Sequence, residues 1–149
     1  MRKEIRFQVQ AAGKGITTHV VSGDHQFIVD EPAGLGGTGS GPNPLEYVLG
    51  ALAGCEEATA QMIAQRSGFQ LHGIRFHIEG SLDPRGFAGV TGARPYFQQV
   101  HVHAVVNTPE TEERLHAFQA AVEQRCPVFT LIQAAGVEMQ AHWEREISA

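Results

Sequence analysis

Two cysteines, Cys55 and Cys126, stand 126 − 55 = 71 positions apart in a chain of 149 residues, and they are its only thiols. A thiolate attacks electrophilic oxygen or sulfur where a thiol does not, so two cysteines that meet are the minimal equipment for reversible redox chemistry. Their separation excludes a CxxC motif and every short zinc-binding spacing. Cys55 falls on the stripe Leu45, Val48, Leu49, Leu52, Cys55, Thr59, Met62 and Ile63, whose steps of three and four predict one apolar helical face. Cys126 lies four residues after Val122, on the continuation of a second stripe, and directly before Pro127. If both helices lay their stripes on one sheet, the two sulfurs approach each other. The N–H groups that open a helix after Pro127 favour an anion at Cys126, whereas Cys55 in mid-helix gains little from that source. The alternative is two inert side chains in a core, because free cysteine is among the most buried residue types.

Histidine offers a second chemistry. His77, His101, His103 and His142 all fall opposite the apolar side chains of their strands, on one face of a sheet. His101 and His103 would share a metal if a neighbouring strand supplied a third ligand; otherwise they are a solvated row. The segment Gly34-Leu35-Gly36-Gly37-Thr38-Gly39 fits GxGxxG, but Pro42 and Pro44 delay the helix and no βαβ unit surrounds it. A dinucleotide site needs a helix to open at the last glycine, so the stretch reads as a loop.

The elements that must position these groups follow from hydrophobic period. Alternation predicts strands over Lys3 to Gln10 and, as a hairpin about Gly23-Asp24, over Thr17 to Ser22 and His25 to Asp30. Glu31 to Pro44, rich in glycine and proline, is a loop. The long helix starts at Pro44 and stops at Gly68. Strands recur over Ile74 to Ile78, Val100 to Val106 and Val137 to Trp143, with a Gly/Pro-rich connection from Asp83 to Pro95. Thr108-Pro109-Glu110 opens a helix carrying Leu115, Phe118 and Val122. Pro127 breaks it and a short helix restarts there. The order βββ-α-ββ-αα-β, from one-faced strands and one-striped helices, predicts a single two-layer α+β domain over residues 1–149.

Composition narrows the function classes. The formal charge of −5 without a Lys/Arg run argues against nucleic acid, and no apolar stretch approaches the ~18–20 residues of a membrane span. The alternating amino terminus lacks the pattern of a secretory signal, so a cytoplasmic chain with reduced thiols is expected.

Gly41-Pro42-Asn43-Pro44-Leu45-Glu46, continuing through Leu49-Gly50-Ala51-Leu52-Ala53-Gly54 to Cys55, together with Cys126-Pro127-Val128, resembles the OsmC/Ohr family of osmotically induced and organic-hydroperoxide-resistance proteins. Val29-Asp30-Glu31-Pro32 and Leu35-Gly36-Gly37 fit its general OsmC-like branch. The resemblance implies an antiparallel-rich α+β fold with long helices, an intertwined homodimer, and thiol-dependent reduction of organic or inorganic hydroperoxides in oxidative-stress defence. By position Cys55 would attack, Cys126 would capture the resulting sulfenic acid as a disulfide, and a dithiol reductant would reopen it. Closing a 71-residue loop removes about 4.4 kcal/mol of chain freedom on the loop-entropy model, so folding must bring the thiols together first. Neither cofactor nor metal is implied.

The family's well-characterised peroxidases place an arginine after the first strand, yet from Ala11 to Tyr47 this chain has none, which leaves Arg85, Arg94 and Arg125 as candidates. They also place a glutamate directly after the Asn-Pro step, where Leu45 stands here and Glu46 follows. Glu46 is thus a candidate catalytic acid. Nine helical residues turn about 900°, which sets it opposite its own Cys55 and ~13.5 Å along the axis, so it serves a partner subunit's site or acts as a first-turn acid favoured by the helix dipole. Glu56-Glu57 beside Cys55 would oppose a thiolate. Two other functions fit the same residues: a non-catalytic small-molecule binder on this scaffold, and a histidine-based metal binder.

Overall fold

The change of hydrophobic period at Pro44 is realised as an all-β segment followed by a mixed one. The computed structural model describes residues 2–146, and the chain divides into two compact units, the first ending at Val48 and the second beginning at Leu49.

In the first unit, β1 (Gln10–Lys14), β2 (Thr17–Ser22) and β3 (His25–Val29) form an antiparallel sheet in chain order, with Ser22 opposite His25 across Gly23-Asp24. The expected strand over Lys3 to Gln10 is displaced: residues 2–9 lie in no helix or strand, and Phe7 is 89% exposed. The register explains the shift. Gln10 already faces Val21, so earlier residues run past the end of β2, which turns back at Gly23. Alternation marks a segment fit for a half-buried strand; it does not supply the edge on which to pair.

The glycine-rich stretch is more ordered than a flexible loop. It contains one 3₁₀ turn, Ala33–Leu35, and wraps the buried carboxylate of Asp30. That carboxylate accepts from the Thr17 and Thr38 hydroxyls and from the backbone N–H groups of Glu31, Thr38 and Ser40. Gly37 is required by this wrapping, since a Cβ there would stand 1.9 Å from the Glu31 carbonyl oxygen.

Helix α1 (Pro44–Ser67) starts with a reciprocal cap: the Glu46 N–H donates to Asn43 Oδ1 at 2.8 Å, and the Asn43 N–H donates to Glu46 Oε1 at 3.1 Å. Gly68, at φ 75°, ends it with its N–H on the Ala64 carbonyl, a conformation that costs glycine little.

The second unit is built on β4 (Gly73–Ser81), β5 (Gln99–Asn107) and β6 (Glu138–Arg145), in that spatial order; β4 and β5 run antiparallel, β5 and β6 parallel. The connection after β4 holds a helical turn that periodicity is too short to reveal, α2 (Pro84–Phe87), capped by Asp83 accepting from the Arg85 N–H. Helix α3 (Glu112–Arg125) is capped by Thr111, one turn later than expected; the Thr108 hydroxyl donates to the Gln70 carbonyl at 2.6 Å and accepts from the Glu110 N–H at 3.1 Å, in the turn that precedes the helix. Helix α4 (Pro127–Ala134) restarts at the proline, as the sequence predicts.

Two apolar clusters fill the space between helices and sheet. One joins Ala60, Ile63 and Ala64 of α1 with Val106 of β5, Leu115, Phe118 and Val122 of α3, and Trp143 of β6. The other joins Leu52 of α1 with Val100 and Val102 of β5, Cys126, and Phe129 and Ile132 of α4. Each fully buried large side chain contributes roughly 1.5–3 kcal/mol, so α1 is held along most of its length.

Candidate functional site

Cys126 is the joint between two helices. Pro127 disfavours helical geometry in the residue before it, and Cys126 accordingly takes an extended φ, ψ of −70°, 115°. The residue ends α3, with its N–H on the Val122 carbonyl, and caps α4, with its sulfur accepting from the Phe129 N–H at 3.4 Å. It is fully buried.

Cys55 reaches the same place from α1. It is half-buried and packs against the cluster that contains Leu52, Val102, Cys126 and Phe129. Residues 71 apart in sequence thereby share one apolar cluster, and both are free thiols.

The electrostatics differ from the expectation of a helix-stabilised Cys126 anion. Burial pushes the Cys126 thiol up to about 12, and the neighbouring Cys55 thiol adds to the rise. The helix N-terminus does act, through the Phe129 and Val128 N–H groups, but desolvation outweighs it. Cys126 is therefore a protonated thiol across the physiological range.

Glu56 has a role that its sequence position disguises. It is fully buried with neither carboxylate oxygen hydrogen-bonded, and burial followed by the charge of Glu123 raises it to about 8. Below that pH it is neutral, so it brings no like charge to the helical turn that carries Cys55. The signal was present in the chain: Leu52, Glu56, Thr59 and Ile63 are spaced as a buried stripe, and a glutamate on such a stripe is forced toward its neutral form. Glu57, half-buried, accepts from the Gln61 side-chain amide at 2.9 Å.

The arginine candidates are mostly committed elsewhere. Arg85 grips Asp83 and Arg94 donates to the Gly136 carbonyl and to Gln98 Oε1. Arg125 is exposed in the last turn of α3. Glu46 completes the α1 cap already described.

On the other face of the same sheet the four histidines are exposed, and Glu144 joins two of them. Its Oε2 lies 3.0 Å from His142 Nε2 and 3.3 Å from His103 Nε2. Glu144 is two residues after His142, the parity that puts both on one face, so a period-2 reading was sufficient to find it.

Residues 37–141 match the family model described as OsmC-like protein. A hydroperoxide reductase of Mycoplasma pneumoniae is 28% identical over 108 residues, covering 72% of this chain and 74% of the relative. Among solved structures, an OsmC-like protein from Mycoplasma pneumoniae superposes with a TM-score of 0.81 at 20% identity, covering 97% of this chain and all of that one. An organic hydroperoxide resistance protein OsmC from Legionella pneumophila superposes with a TM-score of 0.71 at 21% identity, covering 98% and 100%. With the fold shared across whole chains and the family model matched over most of the sequence, the chain belongs to the OsmC-like protein family.

Proposed function

We propose that this protein reduces organic or inorganic hydroperoxides with Cys55 as the attacking thiol and Cys126 as the resolving thiol. The observation that carries the reading is the meeting of two remote cysteines in one apolar cluster. The name of the Mycoplasma pneumoniae relative supports the substrate class.

The Cys55 thiolate attacks one peroxide oxygen, the O–O bond breaks, and the alkoxide leaves as an alcohol after taking a proton. Cys55 is then a sulfenic acid, oxidised by two electrons. The Cys126 sulfur attacks it, and its proton leaves with the hydroxyl as water. A dithiol reductant returns two electrons and two protons and restores both thiols. The high Cys126 pKa keeps this thiol from competing for peroxide, and in the resolving step its proton must pass to the departing hydroxyl as the sulfur attacks. An apolar wall around both sulfurs favours organic peroxides with hydrocarbon tails. Glu46 holds the start of α1 in this scheme, and the setting is a cytoplasm that keeps dithiols reduced.

Replacing Cys55 by Ser should abolish peroxide consumption, whereas Cys126→Ser should retain one turnover and leave a sulfenic acid that a dimedone-type probe captures. Glu46→Gln, which keeps an acceptor for the Asn43 N–H, should retain turnover. Undiminished turnover in the Cys55 variant overturns the assignment and leaves the non-catalytic binder as the reading of this scaffold.

A further inference from the structure

We propose that the exposed face of the β4-β5-β6 sheet binds a divalent metal ion of the zinc class through His103, His142 and Glu144. This site is separate from the two cysteines, because β5 turns Val100 and Val102 toward Cys126 and His101 and His103 away from it.

The register builds the site. His77 on β4 stands opposite His103 on β5, which stands opposite His142 on β6, so three imidazoles cross the sheet in one row. The His103 and His142 rings lie 5.7 Å apart between centroids and within 18° of parallel. Stacked in this way, both rings aim a nitrogen at a single oxygen of Glu144, at 3.3 Å and 3.0 Å. Zinc–nitrogen and zinc–oxygen bonds of about 2.0–2.2 Å in a tetrahedron set ligand atoms roughly 3.3–3.5 Å apart. Two of the three ligand–ligand edges are thus already close to the bound spacing, and all three ligand atoms lie within 4.8 Å of one another. The remaining edge, between the two imidazole nitrogens, closes by small rotations of exposed side chains.

The surroundings suit a cation. Two of the ligands, His103 and His142, border an open concavity of about 470 Å³ that His77, Glu79 and His101 also line. Glu79 adds a second carboxylate, and Arg75, the arginine of this face, is held by Glu146. Two neutral imidazoles with one carboxylate are a borderline donor set, suited to zinc, cobalt and copper ions and unsuited to calcium or magnesium, which take all-oxygen sites.

Cobalt(II) is the probe, because its visible spectrum reports geometry and its sulfur charge-transfer band reports thiolate ligation. Titration of the full chain should give one cobalt per chain, a tetrahedral or five-coordinate visible spectrum without a sulfur band, and displacement by zinc. The same signal should persist in Cys55→Ser. His103→Ala, His142→Ala and Glu144→Ala should each weaken binding by about tenfold or more. These side chains are 46%, 71% and 48% exposed, so the variants should retain the wild-type circular dichroism. Failure to bind cobalt at a protein-equivalent concentration overturns the proposal, as does binding that survives the His103→Ala/His142→Ala double variant, or a sulfur band that vanishes in Cys55→Ser. Because thiol turnover is read separately, loss of the metal site leaves the peroxidase reading intact.

Discussion

Glu56 is a buried carboxyl without a hydrogen bond, and it makes stability depend on pH in a direction opposite to that of most acids. Its folded pKa, about 8, exceeds the ordinary 4.5, so the folded chain holds a proton that the unfolded chain releases. Stability from this residue is therefore full below about pH 4.5, declines as pH rises toward 8, and is flat above that. The whole effect is about 5 kcal/mol by linkage. Glu56→Gln should match the wild type in urea midpoint near pH 4.5 and exceed it progressively up to pH 8. Parallel curves over that range would show that Glu56 is ionised in the folded chain. Below about pH 8 the glutamate next to Cys55 in sequence therefore carries no charge.

Elements act on the site through their ends. The α3–α4 break exists because Pro127 forces Cys126 out of helical geometry, and that break leaves the Cys126 sulfur at a helix start. Pro127→Ala removes the constraint and allows the two helices to join. Peroxide attack by Cys55 should persist, while disulfide formation should slow by about ten- to a hundredfold, since small displacements of reacting atoms carry penalties of that order. Stopped-flow tryptophan fluorescence separates the two steps, and unchanged resolution would mean that packing alone places Cys126. In the first unit, Asp30 organises the Glu31–Pro44 segment through five hydrogen bonds. Asp30→Ala should lower the thermal midpoint and open this segment to protease. Gly37→Ala should do the same through its clash with the Glu31 carbonyl.

At the scale of the molecule, residues 2–9 remain an amphipathic segment without a strand to pair with, exposing Ile5, Phe7 and Val9. Such a segment suits a β-addition surface, and the homodimer that the family resemblance implies would give it a partner edge. Phe7→Lys should shift the protein from dimer to monomer in light scattering at micromolar concentration, with the far-ultraviolet spectrum of the two units retained. A wild-type monomer under those conditions would contradict the dimer. A dimeric Phe7→Lys protein would move the interface elsewhere.

Covalent neighbours alone determined much of this protein. The period change at Pro44, the stop at Gly68, the break at Pro127 and the histidine face of β5 all follow from preferences that each residue exerts on the next few. Tertiary structure decided what no local pattern contains. It tied the Thr108 hydroxyl to the Gln70 carbonyl, 38 residues away in sequence, while Thr111 capped α3. It left residues 2–9 outside the sheet because β2 turned away before them. It brought Cys55 and Cys126 into one apolar cluster, and Glu144 to two histidines of adjacent strands. The physical reason is one of range: backbone torsions and hydrophobic period act within a few residues, whereas burial, desolvation and the meeting of side chains depend on which distant surfaces pack together.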